Sequence, residues 1–234
     1  MTTTRSWKTI WEGRTLDATR PSVLAQLMAA DGFDSGFGDL DEAGWRSYVD
    51  VVTRALEVTP ETTVFEVGCG AGAFLYDWYQ QGTTVAGLDA SETLLGFARQ
   101  AMPRAELVCA EAAALDPTRP YDVVVSSGVF LYFPSLDYAA DVLARMWHKA
   151  RRAIAVLDVP DLAQRDAALA MRRGFLDEAA YEAKYRGLEH LYIPRDWFTA
   201  QLAALGAARV SIVDQAITGY ANGAHRYNVV AHRR

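Results

Sequence analysis

Between residues 62 and 158 the chain alternates two hydrophobic periods, and this alternation restricts its fold more than any other feature. Short β-branched runs stand at 62–67 (TTVFEV), 83–88 (TTVAGL), 106–109 (ELVC), 121–126 (YDVVVS) and 153–158 (AIAVLD). Helical patterns fill the gaps at 73–81, 92–101 and 135–150. Strands alternating with helices imply parallel pairing, because a crossover helix returns the chain to the same end of the sheet. A parallel sheet covered by helices on both faces is therefore expected. The runs 208–214 (ARVSIVD) and 226–231 (RYNVVA) leave no room for a helix between them. They are expected as an antiparallel pair ending a seven-stranded, Rossmann-like, doubly wound sheet.

Upstream, Trp7 and Trp11 lie one helical turn apart. Residues 20–30 read as a helix with Pro21 near its first turn, 31–39 (DGFDSGFGD) as a loop broken by Gly32, Gly36 and Gly38, and 41–57 as an amphipathic helix. The expected division is a helical cap over 1–58 and a core over 59–234. That core carries an insertion at about 159–205, in which LAQRDAALAMRR, LDEAAYEAKY and the end of GLEHLYIPRDWFTAQLAAL look helical.

The first strand runs into three glycines at alternate positions, Gly68, Gly70 and Gly72. A strand that breaks into glycine and then into a helix brings backbone close to a ligand. Gly68, Gly70 and Ala73 fit G-x-G-x-x-A, and Asp89 lies at the end of the second strand, where an acid would meet ribose hydroxyls. Both features suit NAD as well as other adenosine ligands. Glu66 separates them. Its side chain shares a face with Gly68, so it would confront the pyrophosphate of a dinucleotide but attract a cationic ligand. Among Val64, Phe65 and Val67 an unpartnered carboxylate is costly.

In these residues the chain resembles the class I S-adenosylmethionine-dependent methyltransferases. Their first motif, E-x-G-x-G-x-G, stands here as Glu66 to Gly72. VAGLDAS (85–91) resembles the second motif, VCAEAAAL (108–115) the third, YDVVVSSGVFLYFP (121–134) the fourth and AVLDVPD the fifth strand. The resemblance implies S-adenosylmethionine as cofactor. Glu66, Gly68, Gly70 and Gly72 would lie against its methionine part, Asp89 and Ala90 by the ribose, Glu111 and Ala112 by the adenine, and Ser127 by the methionine. Trp11 of the cap is a further cofactor-side candidate. The residue-level alternative for Asp89 and Glu111 is that they cap the helices that follow.

Methyl transfer from a sulfonium needs positioning more than covalent catalysis. The four histidines and two cysteines have no metal-ligand spacing, and Asp161 reads as a helix cap rather than a metal partner of Asp158. No Asp/Asn-Pro-Pro-aromatic tetrapeptide follows the fourth strand, which reads Ser126-Ser127-Gly128-Val129-Phe130. A hydroxyl acceptor would want a general base. Sites in open α/β sheets lie at the carboxyl ends of the strands, which brings Tyr132, His190, Tyr192, Tyr220, His225 and Arg226 into consideration. Of these, His190, Tyr132, Tyr220 and His225 are the catalytic candidates. His148 and His232 lack such positional support.

The net charge of −6 argues against nonspecific nucleic-acid binding. Even the most basic stretch, 172–195, holds five basic and four acidic residues. No segment approaches the ~18 consecutive apolar residues of a membrane span, and the first residues lack a signal-peptide pattern. Cys69 and Cys109, both placed at strand ends, give no disulfide framework. The expectation is a cytoplasmic enzyme transferring methyl to oxygen or nitrogen of a small molecule. A nicotinamide-dependent oxidoreductase and a non-catalytic S-adenosylmethionine-binding protein are the alternatives.

Overall fold

The computed structural model describes residues 6–33, 40–174 and 177–234. Seven strands form one sheet in the order β3-β2-β1-β4-β5-β7-β6. They are β1 (Thr63–Val67), β2 (Thr84–Asp89), β3 (Glu106–Cys109), β4 (Tyr121–Ser127), β5 (Ala150–Pro160), β6 (Arg209–Asp214) and β7 (Arg226–His232). The first five are parallel, and β7 runs antiparallel to both β5 and β6. The expected sheet is therefore present, with bounds close to those read from the sequence. The chief difference is β5, which begins at Ala150 rather than 153.

The helices are α1 (Trp7–Glu12), α2 (Val23–Met28), α3 (Glu42–Leu56), α4 (Ala73–Gln80), α5 (Glu92–Ala101), α6 (Leu136–Lys149), α7 (Arg165–Gly174), α8 (Glu178–Tyr185) and α9 (Arg195–Ala204). Most begin at a side-chain cap that satisfies the orphan N–H groups of the first turn. Ser22 caps α2, so that helix starts after Pro21 rather than around it; Asp41 caps α3 and Ser91 caps α5. Helix α4 differs, because its N-cap is Gly72, which has no side chain to offer. Of the 31–39 loop, Gly36 and Gly38 lie outside the described residues, and Gly32 ends a short helical turn after α2 at φ +88°.

The alternation of each strand divides the core in two. Val64, Val123, Val125 and Leu157 face the layer of α3, α4 and α5, with Trp45, Trp78 and Leu95 buried there. Phe65, Val67, Val124 and Val156 face α6 and α9, with Trp147 and Phe198. The sequence order reverses between β1 and β4, which places a crevice at their carboxyl ends. Glu66, Ser127 and Asp158, near the ends of β1, β4 and β5, all reach it. Among the described residues no helix is long and apolar enough to cross a membrane.

Candidate cofactor and acceptor site

A cavity of about 720 Å³ opens above the crevice. Its first wall is the turn from β1 into α4. Gly68, Gly70 and Gly72 adopt φ of +75°, +54° and +90°, values costly for any residue with a Cβ. The Gly68 and Cys69 N–H groups both donate to the Leu88 carbonyl, at 2.8 and 2.9 Å, locking the turn onto β2. Cys69 is thus buried in the turn and not at a strand end, because the reversal at Gly68 stops the ladder. The three glycines serve different purposes. A Cβ on Gly68 would strike Val129, and one on Gly72 would strike Met102 of the α5 segment. Gly72 faces helix packing and does not line the cavity.

Three carboxyl groups surround this turn. Asp89 accepts from the Gly70 N–H at 2.9 Å and from the Ser91 N–H at 2.8 Å, while Ser91 itself caps α5. Glu66 is 2% exposed, and its Oε2 has no hydrogen-bond partner. Burial, with Asp31 and Asp89 nearby, holds its carboxyl well above the usual range. The third group is Asp31, which no motif indicated. It accepts from Ala71 N–H at 2.6 Å and Ala73 N–H at 3.0 Å, supplying from the cap the helix cap that Gly72 cannot. Arg14 holds this segment in place by donating to the Ala29 and Ala30 carbonyls at 2.9 and 3.1 Å. Burial outweighs the two N–H donors and pushes the Asp31 carboxyl up to about 7.

This arrangement suits a cationic nucleoside and disfavours a dinucleotide. The N-terminus of α4, where a pyrophosphate would bind, is taken by Asp31. The Glu66 Oε2 has no protein partner and is left to a ligand. Glu111 and Ala112 line the cavity beyond β3, as do Ala90, Ser127 and Trp11. Glu111 makes no helix-cap hydrogen bond and pairs with Lys8 of α1 at 3.5 Å.

The opposite end of the cavity is aromatic and basic. Trp7 stacks on His190 with ring centroids 4.9 Å apart and lies 4.7 Å from Tyr132; Trp11 meets Tyr132 at 5.5 Å. The Trp7 indole N–H also donates to the Glu189 carbonyl at 3.2 Å, tying α1 to the insertion. His190 Nδ1 is buried without a partner. Burial, with the Arg172 and Arg226 charges, holds this imidazole well below its usual pKa, so it is neutral at physiological pH. Burial similarly raises the Tyr132 and Tyr220 hydroxyls above their ordinary range.

Asp158 forms the floor between the two ends. It lies within an irregularity in the β5–β7 pairing between Val156 and Val159 and sits at φ +60°, a conformation a non-glycine residue holds only when its surroundings impose it. The constraint is visible. Its carboxylate accepts from Arg226 at 3.1 Å, Tyr220 at 3.0 Å and Gln215 at 3.4 Å, and its N–H donates to Asn228 Oδ1 at 2.9 Å. Asp161 caps the following turn through the Ala163 N–H and pairs with Arg195 at 2.8 Å, and no metal-ligating cluster occurs among the described residues.

His190, Tyr132 and Tyr220 line the same cavity as Trp11, Glu66, Gly68, Gly70, Asp89, Ala90, Glu111, Ala112 and Ser127, and Trp11 stands against Tyr132 rather than at the glycine turn. Among the residues considered from the sequence, Gly72, Tyr192 and His225 do not line the cavity, nor do His148 and His232. Topology placed the 215–225 turn at the correct edge. However, the His225 carbonyl is committed to the Asp161 N–H, and its ring lies outside the cavity wall. Asp31 and Arg172 are the charged wall residues of most chemical interest among those that sequence reasoning missed.

Residues 64–159 match the model of a methyltransferase domain family. Trans-aconitate 2-methyltransferase of Azoarcus sp. (strain BH72) is 28% identical over 130 residues, 51% of this chain and 50% of that protein. The match thus spans about half the length of this curated relative. Among solved structures, magnesium protoporphyrin IX methyltransferase from Synechocystis PCC 6803 with bound SAH superposes with a TM-score of 0.61 at 20% identity, covering 88% of this chain and 96% of that one. A SAM-bound amino pentose methyltransferase from Micromonospora echinaspora gives 0.63 at 16% identity, covering 89% and 97%.

Proposed function

We propose that this chain, which belongs to the class I S-adenosylmethionine-dependent methyltransferases, transfers a methyl group from S-adenosylmethionine to oxygen or nitrogen of a small-molecule acceptor. The observation that carries this reading is the two-ended cavity, with carboxyl groups around the glycine turn at one end and an aromatic, basic chamber at the other. The donor, when bound, supplies an activated methyl group on a sulfonium. The chain's own residues do the rest. Glu66 and Asp31 attract the cationic methionine end, Asp89 takes the ribose hydroxyls, and Gly68 and Gly70 let that end approach the backbone. Trp7, Trp11, Tyr132 and His190 wall in the acceptor and exclude water from the reacting atoms. Neutral His190, whose Nδ1 is buried and has no protein partner, is the general-base candidate for an acceptor hydroxyl.

The relatives named above act on trans-aconitate, magnesium protoporphyrin IX and an amino pentose. These names support a small-molecule acceptor for this chain. The nicotinamide alternative is disfavoured by three carboxyl groups where pyrophosphate would lie, and the non-catalytic alternative by the walled chamber beyond the cofactor end. The division into a cap over 1–58 and a core over 59–234, and a cytoplasmic location, form part of the same proposal. Release of S-adenosylhomocysteine during incubation with phenols, hydroxy acids, amines and sugars tests it. Turnover with one acceptor class supports transfer. Cofactor binding without turnover on any of them favours the non-catalytic reading.

A further inference from the structure

Arg172, on the last turn of α7, is only 6% exposed, yet it lines the cavity. No hydrogen bond or ion pair engages its guanidinium among the described residues. The other deeply buried arginine, Arg226, is neutralised by Asp158 at 3.1 Å. A buried guanidinium without a counter-ion is expensive and is normally paired. Among the described residues no carboxylate pairs with it, and Asp158 on the cavity floor is engaged by Arg226. Its neighbours are Tyr132, Tyr185, His190 and Arg226, and the carboxyl groups of Asp31, Glu66 and Asp89 belong to the glycine-turn end. The walls beside it are flat and apolar, with Trp7 stacked on His190 at 4.9 Å and Tyr132 tilted against Trp7 at 4.7 Å. His190 Nδ1 is a buried polar atom there without a partner.

We infer that the acceptor is a small carboxylic acid with a flat apolar body, its carboxylate held by Arg172 and its body against the wall that Trp7, Tyr132 and His190 form. Guanidinium is the side chain best matched to a carboxylate, which it can grip through two parallel N–H donors. The inference rests on reading this cavity as the acceptor site and deepens it by naming the acceptor's chemistry. It also gives a role to the insertion, since α7 lies wholly within it. Anion binding completes a charge pattern that the ligand-free cavity leaves half made, with carboxyl groups facing a cationic cofactor and a guanidinium facing an anionic acceptor.

The test is calorimetric titration of the full chain saturated with S-adenosylhomocysteine, using benzoate, phenylacetate and indole-3-acetate and the matching carboxamides. At least one acid is expected to bind about tenfold or more tighter than its amide. Arg172→Gln should erase that preference and leave S-adenosylhomocysteine affinity within about twofold, whereas Arg172→Lys should retain part of it. Equal binding of acids and amides, no acid binding, or an undiminished preference in R172Q overturns the inference. The acid-to-amide comparison needs no variant, so it stands even if a substitution unfolds the protein. Failure of the wild-type protein to bind S-adenosylhomocysteine strikes instead at the reading of the cavity, and the acceptor assignment falls with it.

Discussion

Replacing Asp31 with Asn probes the link between the N-terminal segment and the glycine turn. In the ligand-free protein the Asp31 carboxyl is pushed up to about 7 from an ordinary 3.8, first by burial and further by Asp89. A folded-state pKa above the unfolded value means the folded chain holds a proton that the unfolded chain has lost. The stabilisation from this proton is fully present below the unfolded pKa and is lost as pH rises through about 7. Three units correspond to a ceiling of ~4 kcal/mol. Asp31 faces the cavity, and water there lowers the figure. Asn keeps one oxygen for the Ala71 or Ala73 N–H but cannot ionise. Between about pH 5 and pH 7.5, wild-type stability should therefore fall relative to D31N by at least ~1 kcal/mol. Urea unfolding of both ligand-free proteins at the two pH values measures the difference. Affinity for S-adenosylhomocysteine should move the other way, rising with pH in the wild type as Asp31 ionises to meet the ligand's ammonium, and flattening in D31N. A wild-type-to-variant difference that stays constant across this range would refute the reasoning.

Three further substitutions separate binding from turnover. Gly70→Val should abolish cofactor binding and destabilise the fold by at least ~1–2 kcal/mol, because its Cβ would lie 2.2 Å from Asp31 Oδ1 at φ +54°; calorimetry and thermal melting report both. Asp89→Ala should weaken S-adenosylhomocysteine by ~1.5–3 kcal/mol through lost charge-assisted hydrogen bonds, and unchanged affinity in a folded variant would reduce Asp89 to an anchor of the glycine turn. His190→Ala should lower kcat on a hydroxyl acceptor by about 10²–10⁴ while cofactor affinity stays within about twofold, and equal losses in both would make the insertion part of the cofactor lid.

The sheet and its order were legible because strand and helix periods are local. TTVFEV and YDVVVS announce themselves within six residues, and parallel pairing follows from the helices between them. One end of the cavity lining was legible for a related reason, since Glu66, Gly68 and Gly70 stand where the chain turns. What the sequence concealed depends on contacts between distant segments. Asp31 caps a helix about forty residues away, in a stretch whose glycines announced only a loop. Asp158 takes a left-handed backbone only because Arg226, Asn228 and Gln215 converge on it from the last strand and the turn before it. Arg172 sits in a pattern that reads as an ordinary amphipathic helix, and its burial against the cavity is visible only once α7 is docked. His225 marks the complementary limit, since strand direction fixes which edge a turn occupies but not where its side chains aim.

The central claim is that the glycine turn with Glu66, Asp31 and Asp89 receives a cationic adenosine ligand. Parallel titrations with S-adenosylmethionine, S-adenosylhomocysteine, NAD and NADP test it most directly. The first two should bind and, at a hundredfold excess over the dissociation constant, stabilise the fold by ~2.7 kcal/mol, with NAD and NADP producing no shift. Stabilisation by NAD or NADP in place of the two sulfur ligands would contradict the account.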